Sequence, residues 1–479
     1  MVPVRALGMG VLAGLLTLGC GGAGGGAGDR PHVLLIVIDT LRADRLGAYG
    51  YGRPTSPVID GLAEEGVLFE DVTAQCSWTL PSMVSMFQGR YLPEFRDVYL
   101  DDAPTLAEVF RDAGYRTVGV VGNGLLSDRA GFDRGFDHYD ARKRAKDGRP
   151  GSAARSGDDI LATAREPVRL ALAPEDGRAV PLFLYLHLMD PHDPYQAHEA
   201  YDDVLPRTPS ASGHDLARQR EAFGRAFPER ASNGAVGRAW ERMAGELARY
   251  DQEVRYTDEV VGRALAMLEE HGALEDTVIA IVSDHGEGLY DHLSAPGTAG
   301  KEPGPARYFQ LQHGKQIYGE LTSTPMILAG AGVPAGVRVS AAVENVDLLP
   351  TLVELAGLEP VPGQHGRSLV AAMHGAELEA RPVFSAVLRE SSVRDAEGRW
   401  KLLVPAVEGD GREVRLYDLR SDRGERTNLA AEHPAVVEEL MELLRDWQTG
   451  HAHESTLGRP KDPQTVDDMR ELGYAGDDG

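Results

Sequence analysis

The sequence predicts an α/β fold: a mixed, mostly parallel sheet covered by helices on both faces, followed by a small C-terminal α+β subdomain. Three observations carry this prediction. From His32 onward, apolar runs alternate with helical stretches, the pattern of βαβ units that build a sheet buried on both sides. Polar motifs rich in aspartate and histidine follow several of those runs, and α/β sheets keep their chemistry at strand carboxyl ends. Beyond about Gly375 the elements become shorter strands with one closing helix.

His32 to Ile38 opens the sheet, and Asp60 to Gly66 reads as a helix end. Met83 to Phe87 looks like a buried helix entered through Trp78-Thr79-Leu80-Pro81-Ser82, since proline is tolerated in a first turn whose N–H has no partner. Thr105 to Gly114 is a helix, Thr117 to Val121 a strand, Asp158 to Leu172 a helix and Leu182 to Leu188 a strongly apolar strand. Glu241 to Glu270 has long helical periodicity that stops at Gly272, before the strand Thr277 to Val282. Pro325 to Leu328 supplies a further strand, and Asp347 to Ala356 a helix closed by Gly357. Then come the strands Pro382 to Leu388, Trp400 to Val404 and Val414 to Leu419, and a helix from Pro434 to Thr449. The long irregular stretches Pro194 to Asn233 and Tyr290 to Gln312 both follow motif residues, which makes them candidate substrate-covering loops.

With 479 residues and 42% hydrophobic content, the chain can bury one large core with a smaller satellite. Its formal charge of −25, from 74 acidic against 49 basic residues, excludes a general nucleic-acid binder, because no basic stripe offsets the repulsion of phosphates. The local basic run Ala141 to Lys146, with Arg149, reads as a solvated turn.

At the N-terminus, Arg5 precedes an apolar stretch from Ala6 to Gly19 that is too short to span a bilayer and reads as an export signal. Leu16-Thr17-Leu18-Gly19-Cys20 resembles the lipobox of bacterial lipoproteins, which implies lipidation at Cys20; a cleaved signal without lipid is the alternative. The expected organisation is a signal peptide over 1–20, a glycine-rich tether over 21–30, a catalytic domain over 31–375, the small subdomain over 376–454 and a polar tail over 455–479. This implies an exported protein, anchored by lipid to a bacterial membrane on its periplasmic or cell-surface side. The one other cysteine, Cys76, is expected as a small core residue.

Five segments carry chemistry. Asp39 ends the first strand and can cap a helix or ligate a metal. Thr79 stands at a helix N-terminus, where free amides and the dipole favour an anion; its hydroxyl can cap that helix or attack a bound phosphate or sulfate. His187-Leu188-Met189-Asp190-Pro191-His192-Asp193-Pro194-Tyr195 brings two histidines and an aspartate off one strand, although a polar, proline-rich turn is the plainer account. Ser283-Asp284-His285-Gly286-Glu287, after another buried strand, puts an acid and an imidazole side by side as half of a site for a borderline metal. His313-Gly314-Lys315 adds a further imidazole and an ammonium.

Together these pieces resemble the sulfatase family of the alkaline phosphatase superfamily, over about Pro31 to Leu429. The markers are Ile38 to Asp44, Tyr49-Gly50-Tyr51, Thr55-Ser56-Pro57, Trp78 to Ser82, Gly135-Phe136-Asp137, Asp190 to Tyr195, Ser283 to Glu287, Val346 to Leu352 and Leu416 to Leu419. The resemblance implies an alkaline-phosphatase/sulfatase-like sheet and a metal held by Asp39, Asp284 and His285. It places Thr79 at the nucleophile position, itself touching the metal. It further implies that His192 and Lys315 hold the substrate's oxyanion or leaving group, with His187 and His313 as helpers and Asn123 and Asp190 as substrate-binding candidates.

The chain departs from the family's pattern where it matters most. The usual motif Cys/Ser-x-Pro-x-Arg, whose first residue is oxidised to formylglycine, is here Thr79-Leu80-Pro81-Ser82-Met83. Threonine cannot give the aldehyde, so no formylglycine is expected. Thr79 resembles instead the nucleophile of lipoteichoic acid synthases and phosphoglycerol transferases, of which only the site chemistry is comparable. Thr40 replaces a second aspartate and His285 supplies nitrogen, which favours one manganese, zinc or magnesium ion over calcium. A second metal would draw on His187 or Asp190 with His192 and His313, and the spacing gives no support for it. The expected function is metal-dependent hydrolysis, or transfer, of a sulfate, phosphate or phosphonate ester of unknown identity. The alternative is a catalytically idle, surface-anchored scaffold.

Overall fold

Alternate residues of the first strand face different cores, which is why that strand reads as continuously apolar. The computed structural model describes residues 30–92, 100–142, 155–173, 180–207, 216–228, 234–292, 313–406 and 413–451. In it Val33, Leu35 and Val37 enter one hydrophobic cluster, and Leu34, Ile36 and Ile38 enter another. The signal, Cys20, nearly all of the tether, most of the basic run and the polar tail lie outside the described residues.

The elements run β1 (His32–Ile38), α1 (Pro57–Glu64), β2 (Val67–Phe69), β3 (Val72–Thr73), α2 (Thr79–Gln88), α3 (Leu106–Asp112), β4 (Arg116–Val121), β5 (His138–Asp140), α4 (Gly157–Leu172), β6 (Leu182–Leu188), α5 (Ala217–Ala226), α6 (Gly234–Glu269), β7 (Thr277–Val282) and α7 (Gly319–Thr322). They continue with β8 (Met326–Gly330), β9 (Val337–Val339), β10 (Val343–Glu344), α8 (Leu348–Leu355), α9 (Val370–Met373), β11 (Val383–Val387), β12 (Glu390–Arg394), β13 (Trp400–Pro405), β14 (Arg415–Asp418) and α10 (Pro434–His451).

The main sheet has the order β5-β4-β6-β1-β7-β8-β2-β9. Its centre, β4-β6-β1-β7, is parallel, and β8 runs antiparallel to both β7 and β2, so the sheet is mixed and mostly parallel as expected. Helices α1, α4, α5 and α6 cover one face, and α2, α3 and α8 cover the other. A separate antiparallel sheet, β11-β12-β13-β14, is covered by α10, whose Leu440, Leu444 and Trp447 pack with Phe384, Val393, Leu402 and Leu416. Among the described residues no helix is long and apolar enough to cross a membrane.

Local signals explain most boundaries. Pro57 opens α1, and a Thr105–Glu108 capping box starts α3. The left-handed Gly272 and Gly357, with φ of 67° and 65°, stand where the helices α6 and α8 stop. The structure corrects the expectation for 194–233, because α5 lies inside that stretch and α6 begins at Gly234 rather than Glu241. Gly234, Gly237 and the charged α5 weakened the helical pattern, yet Gln219 and Phe223 are buried. The short β2, β5 and β9 and the polar β12 were also not foreseen, since three residues carry no period and Glu390-Ser391-Ser392 reads as a turn.

Candidate active site

The carboxyl ends of four adjacent parallel strands deliver the site. Asp39 leaves β1, Asn123 follows β4, His187 sits near the end of β6, and Asp284 and His285 leave β7. Thr79 is the first residue of α2, whose ten residues are all buried. Pro81 falls in the first turn of that helix, where its missing N–H costs nothing. Ser82 Oγ donates to the Asp284 carbonyl over 2.6 Å, tying this helix start to the end of β7.

Asp39 is fully buried, and one of its oxygens is saturated: Oδ2 accepts from Thr79 Oγ1 at 3.3 Å, Asn123 Nδ2 at 3.0 Å and His187 Nε2 at 3.1 Å. Tyr185 OH donates to His187 Nδ1 over 3.0 Å, which fixes that ring's tautomer. Asp284 follows the same plan, its Oδ1 accepting the Thr40 N–H at 3.3 Å and the His285 N–H at 2.8 Å. The remaining oxygens, Asp39 Oδ1 and Asp284 Oδ2, are buried and accept no hydrogen bond from the described residues. His285 Nδ1 donates to the Gly286 carbonyl over 2.8 Å, so its Nε2 presents a lone pair, 3.3 Å from Thr79 Oγ1. One ligand atom from each of Asp39, Asp284 and His285 lies within 4.8 Å of the other two.

The electrostatics call for a cation there. Burial and the Asp39 charge push the Asp284 carboxyl well above the ordinary carboxylate range. Burial also acts on Asp39, but the His187 hydrogen bond and the nearby His192 and His285 outweigh it and hold that carboxyl below the ordinary range. Burial, then His313, pushes His285 down to about 3, so it is a neutral imidazole suited to ligation. Two buried carboxylates, each with a bare oxygen, and a neutral imidazole could hold one divalent cation.

Beyond this cluster, the His285 and His313 rings lie 4.5 Å apart and those of His192 and His313 4.9 Å apart. His192 Nδ1 donates to the Asp193 carbonyl over 2.6 Å, and His313 Nδ1 donates to Glu287 Oε1 over 3.1 Å. Burial raises Glu287 to about 7. Lys315 is exposed, with its charge close enough to oppose protonation of His313. Asp190 is the residue the structure sets apart: its Oδ1 accepts the Gly157 N–H over 3.0 Å and so caps α4. Met83, where the family pattern has arginine, is fully buried in the apolar cluster under α2, and Cys76 is a buried core thiol beside Ile317 and Tyr417.

Sequence reasoning missed four supporting residues. Arg42, buried on the turn after β1, donates to the Glu287 carbonyl at 3.0 Å and to Asp291 at 2.6 Å. Tyr250 OH accepts from the Arg42 N–H at 3.0 Å and donates to the Thr40 carbonyl at 2.8 Å, bracing Thr40 at a φ of 57°. Glu287 and Tyr185 orient His313 and His187. Arg42 and Glu287 stood within quoted motifs, whereas Tyr185 and Tyr250 read only as core aromatics.

The sulfatase family profile matches residues 31–358. Choline-sulfatase of Rhizobium meliloti (strain 1021) is 25% identical over 470 residues, covering 88% of this chain and 87% of that protein. Human iduronate 2-sulfatase is 28% identical over 433 residues, covering 76% and 77%. The solved phosphonate monoester hydrolase of Agrobacterium radiobacter shares the fold, with a TM-score of 0.68 at 23% identity over 88% of this chain and 96% of that one. With that match spanning the whole main sheet and the Asp39, Asp284 and His285 cluster, the chain belongs to the sulfatase family and is a sulfatase-like ester hydrolase.

Proposed function

We propose that the protein hydrolyses, or transfers, a sulfate, phosphate or phosphonate ester through Thr79 as nucleophile. The observation that carries this is the place of Thr79 Oγ1, 3.3 Å from both Asp39 Oδ2 and His285 Nε2 at the start of a buried helix. The residues that would hold a divalent cation are Asp39, Asp284 and His285, with Thr79 beside them. Bound there, the cation supplies charge stabilisation for the Thr79 oxygen and for a non-bridging oxygen of the ester. Two carboxylates and one imidazole favour manganese, zinc or magnesium over calcium.

Thr79 Oγ1 attacks the central sulfur or phosphorus in line, its proton passing to solvent or a neighbouring base, and the bond to the leaving oxygen breaks. Asn123, donating to Asp39 Oδ2 at 3.0 Å and to Thr79 Oγ1 at 3.4 Å, holds the nucleophile in place. His192 or His313 protonates the leaving oxygen. Lys315 offsets the remaining negative charge. Water or an acceptor alcohol then cleaves the sulfo- or phospho-threonine, a second displacement that a formylglycine would not need. Phosphoryl chemistry suits this two-displacement route.

A metal-supplemented panel of sulfate monoesters, phosphate monoesters, phosphodiesters and phosphonate monoesters tests the proposal. Turnover of at least one class that disappears on chelation is expected. No bound divalent ion together with no turnover of any ester would instead favour the idle scaffold.

A further inference from the structure

His292 lies seven residues beyond His285 and outside the cluster described above. Its side chain is 10% exposed. Its Nδ1 is 2.6 Å from Glu320 Oε1, and its Nε2 is 3.1 Å from the carbonyl oxygen of Glu425. An imidazole that meets an acceptor at each nitrogen carries a proton on each, so this ring is an imidazolium. It lies flat on Tyr318, with centroids 3.7 Å apart and planes 3° apart, a geometry that also favours a cation.

These partners come from the stretch just after His313 and Lys315 and from the turn that follows the C-terminal sheet. His292 precedes the two residues in the chain; Tyr318 and Glu320 follow them. Glu425 stands in the turn after β14, at a left-handed φ of 50°. Its Oε1 accepts from the Gly319 N–H at 2.8 Å and from Lys401 Nζ of β13 at 2.9 Å, while Lys401 Nζ also donates to the Ile317 carbonyl at 2.8 Å.

We propose that His292 is a positioning residue: as a doubly donating imidazolium it ties Glu320 of α7, just beyond His313 and Lys315 in the chain, to the turn at Glu425. The C-terminal sheet thereby sets where those two side chains sit. The groups facing His292 are Glu320 from α7 and Tyr318 just before it, Glu425 from the turn after β14 with its bound Lys401 from β13, and Asp291, paired with Arg42, on its own segment. Burial opposes the charge, but Glu320 first, then Glu425 and Asp291, outweigh it and push His292 up to about 9. Because that value is raised above the ordinary 6.5, the fastening is complete below pH 6.5 and is lost as pH rises through about 9.

The catalytic consequence rests on the role proposed above for His313 and Lys315, so the test has one arm without activity. In the full-length, magnesium-loaded protein with nitrogen-15 labelled histidines, His292 should show both ring nitrogens protonated at pH 7.5 and lose one proton near pH 9. The His313 resonance should move in step with that loss. A bare nitrogen on His292 at pH 7.5, or a His313 signal indifferent to its titration, would overturn the inference whether or not any ester is hydrolysed. In the kinetic arm, with 4-nitrophenyl sulfate and 4-nitrophenyl phenylphosphonate as probes, KM should rise several-fold on the alkaline side. Glu320→Gln should move that limb to lower pH, and Glu320→Asp should restore it. Superimposable pH profiles for wild type and Glu320→Gln would also overturn it. Failure of both probes with the expected spectra would instead count against the proposed function alone.

Discussion

Paired substitutions at Thr79 separate its chemical role from its structural one. The side chain is fully buried, so Thr79→Ser deletes one packed methyl group, at a cost of about 1 kcal/mol in stability. Thr79→Ala removes that same γ-methyl together with a hydroxyl whose contacts to Asp39, His285 and Asn123, at 3.3 to 3.4 Å, are long. Asn123 retains its 3.0 Å bond to Asp39 Oδ2, so no buried donor is orphaned and losing the hydroxyl adds only about 1 kcal/mol to the cost of the methyl. The two variants should therefore melt within a few degrees of each other. Their rates should diverge sharply, with Thr79→Ser inside about tenfold of wild type and Thr79→Ala down by about 10⁴-fold or more, as for loss of other covalent nucleophiles. The assay is steady-state turnover of whichever ester class the panel identifies, with intact-mass detection of a modified Thr79 in rapidly quenched samples. If Thr79→Ala turned over within tenfold of wild type, Thr79 would not be the nucleophile.

Three further outcomes are expected. Chelation should lower the melting temperature, because a ligand that binds only the folded site stabilises it and its removal leaves Asp39 and Asp284 without a counter-charge; calorimetry of metal rebinding at pH 7 should show release of the proton that Asp284 takes up without the metal, and an unchanged melting temperature after metal removal would refute the ligand set. Gly286→Ala should destabilise by about 1–3 kcal/mol or more, since a Cβ there would lie 2.0 Å from the Glu320 carbonyl oxygen, and a melting temperature matching wild type would contradict that packing. We also propose that Cys20 carries the lipid anchor of an exported protein: labelled fatty acid should be incorporated in the bacterial host and lost in Cys20→Ser, and labelling that survives the substitution would exclude it.

The strand ends were legible because burial leaves a direct imprint on sequence. His32 to Ile38, Leu182 to Leu188 and Thr277 to Val282 are apolar throughout, and each is followed by polar groups with no place in a core. Thr79 was legible for a related reason, since a proline two residues later marks a first helical turn. Asp190 shares a motif with His192, and its Oδ1 serves the start of α4. Local spacing cannot tell a helix cap from a site residue when both leave the same strand.

The sequence by itself determined the α/β class, the family and the residue types gathered at the strand ends, because periodicity and motif chemistry are properties of short stretches. Only the tertiary structure decided which oxygen of Asp39 is saturated and which is bare, and that Tyr185 and Glu287 orient two of the histidines. It alone brought His292 to Glu425 across 133 residues. The physical reason is that such contacts arise from strand order and close packing between segments distant in the chain, where a side chain's role depends on the acceptor it meets.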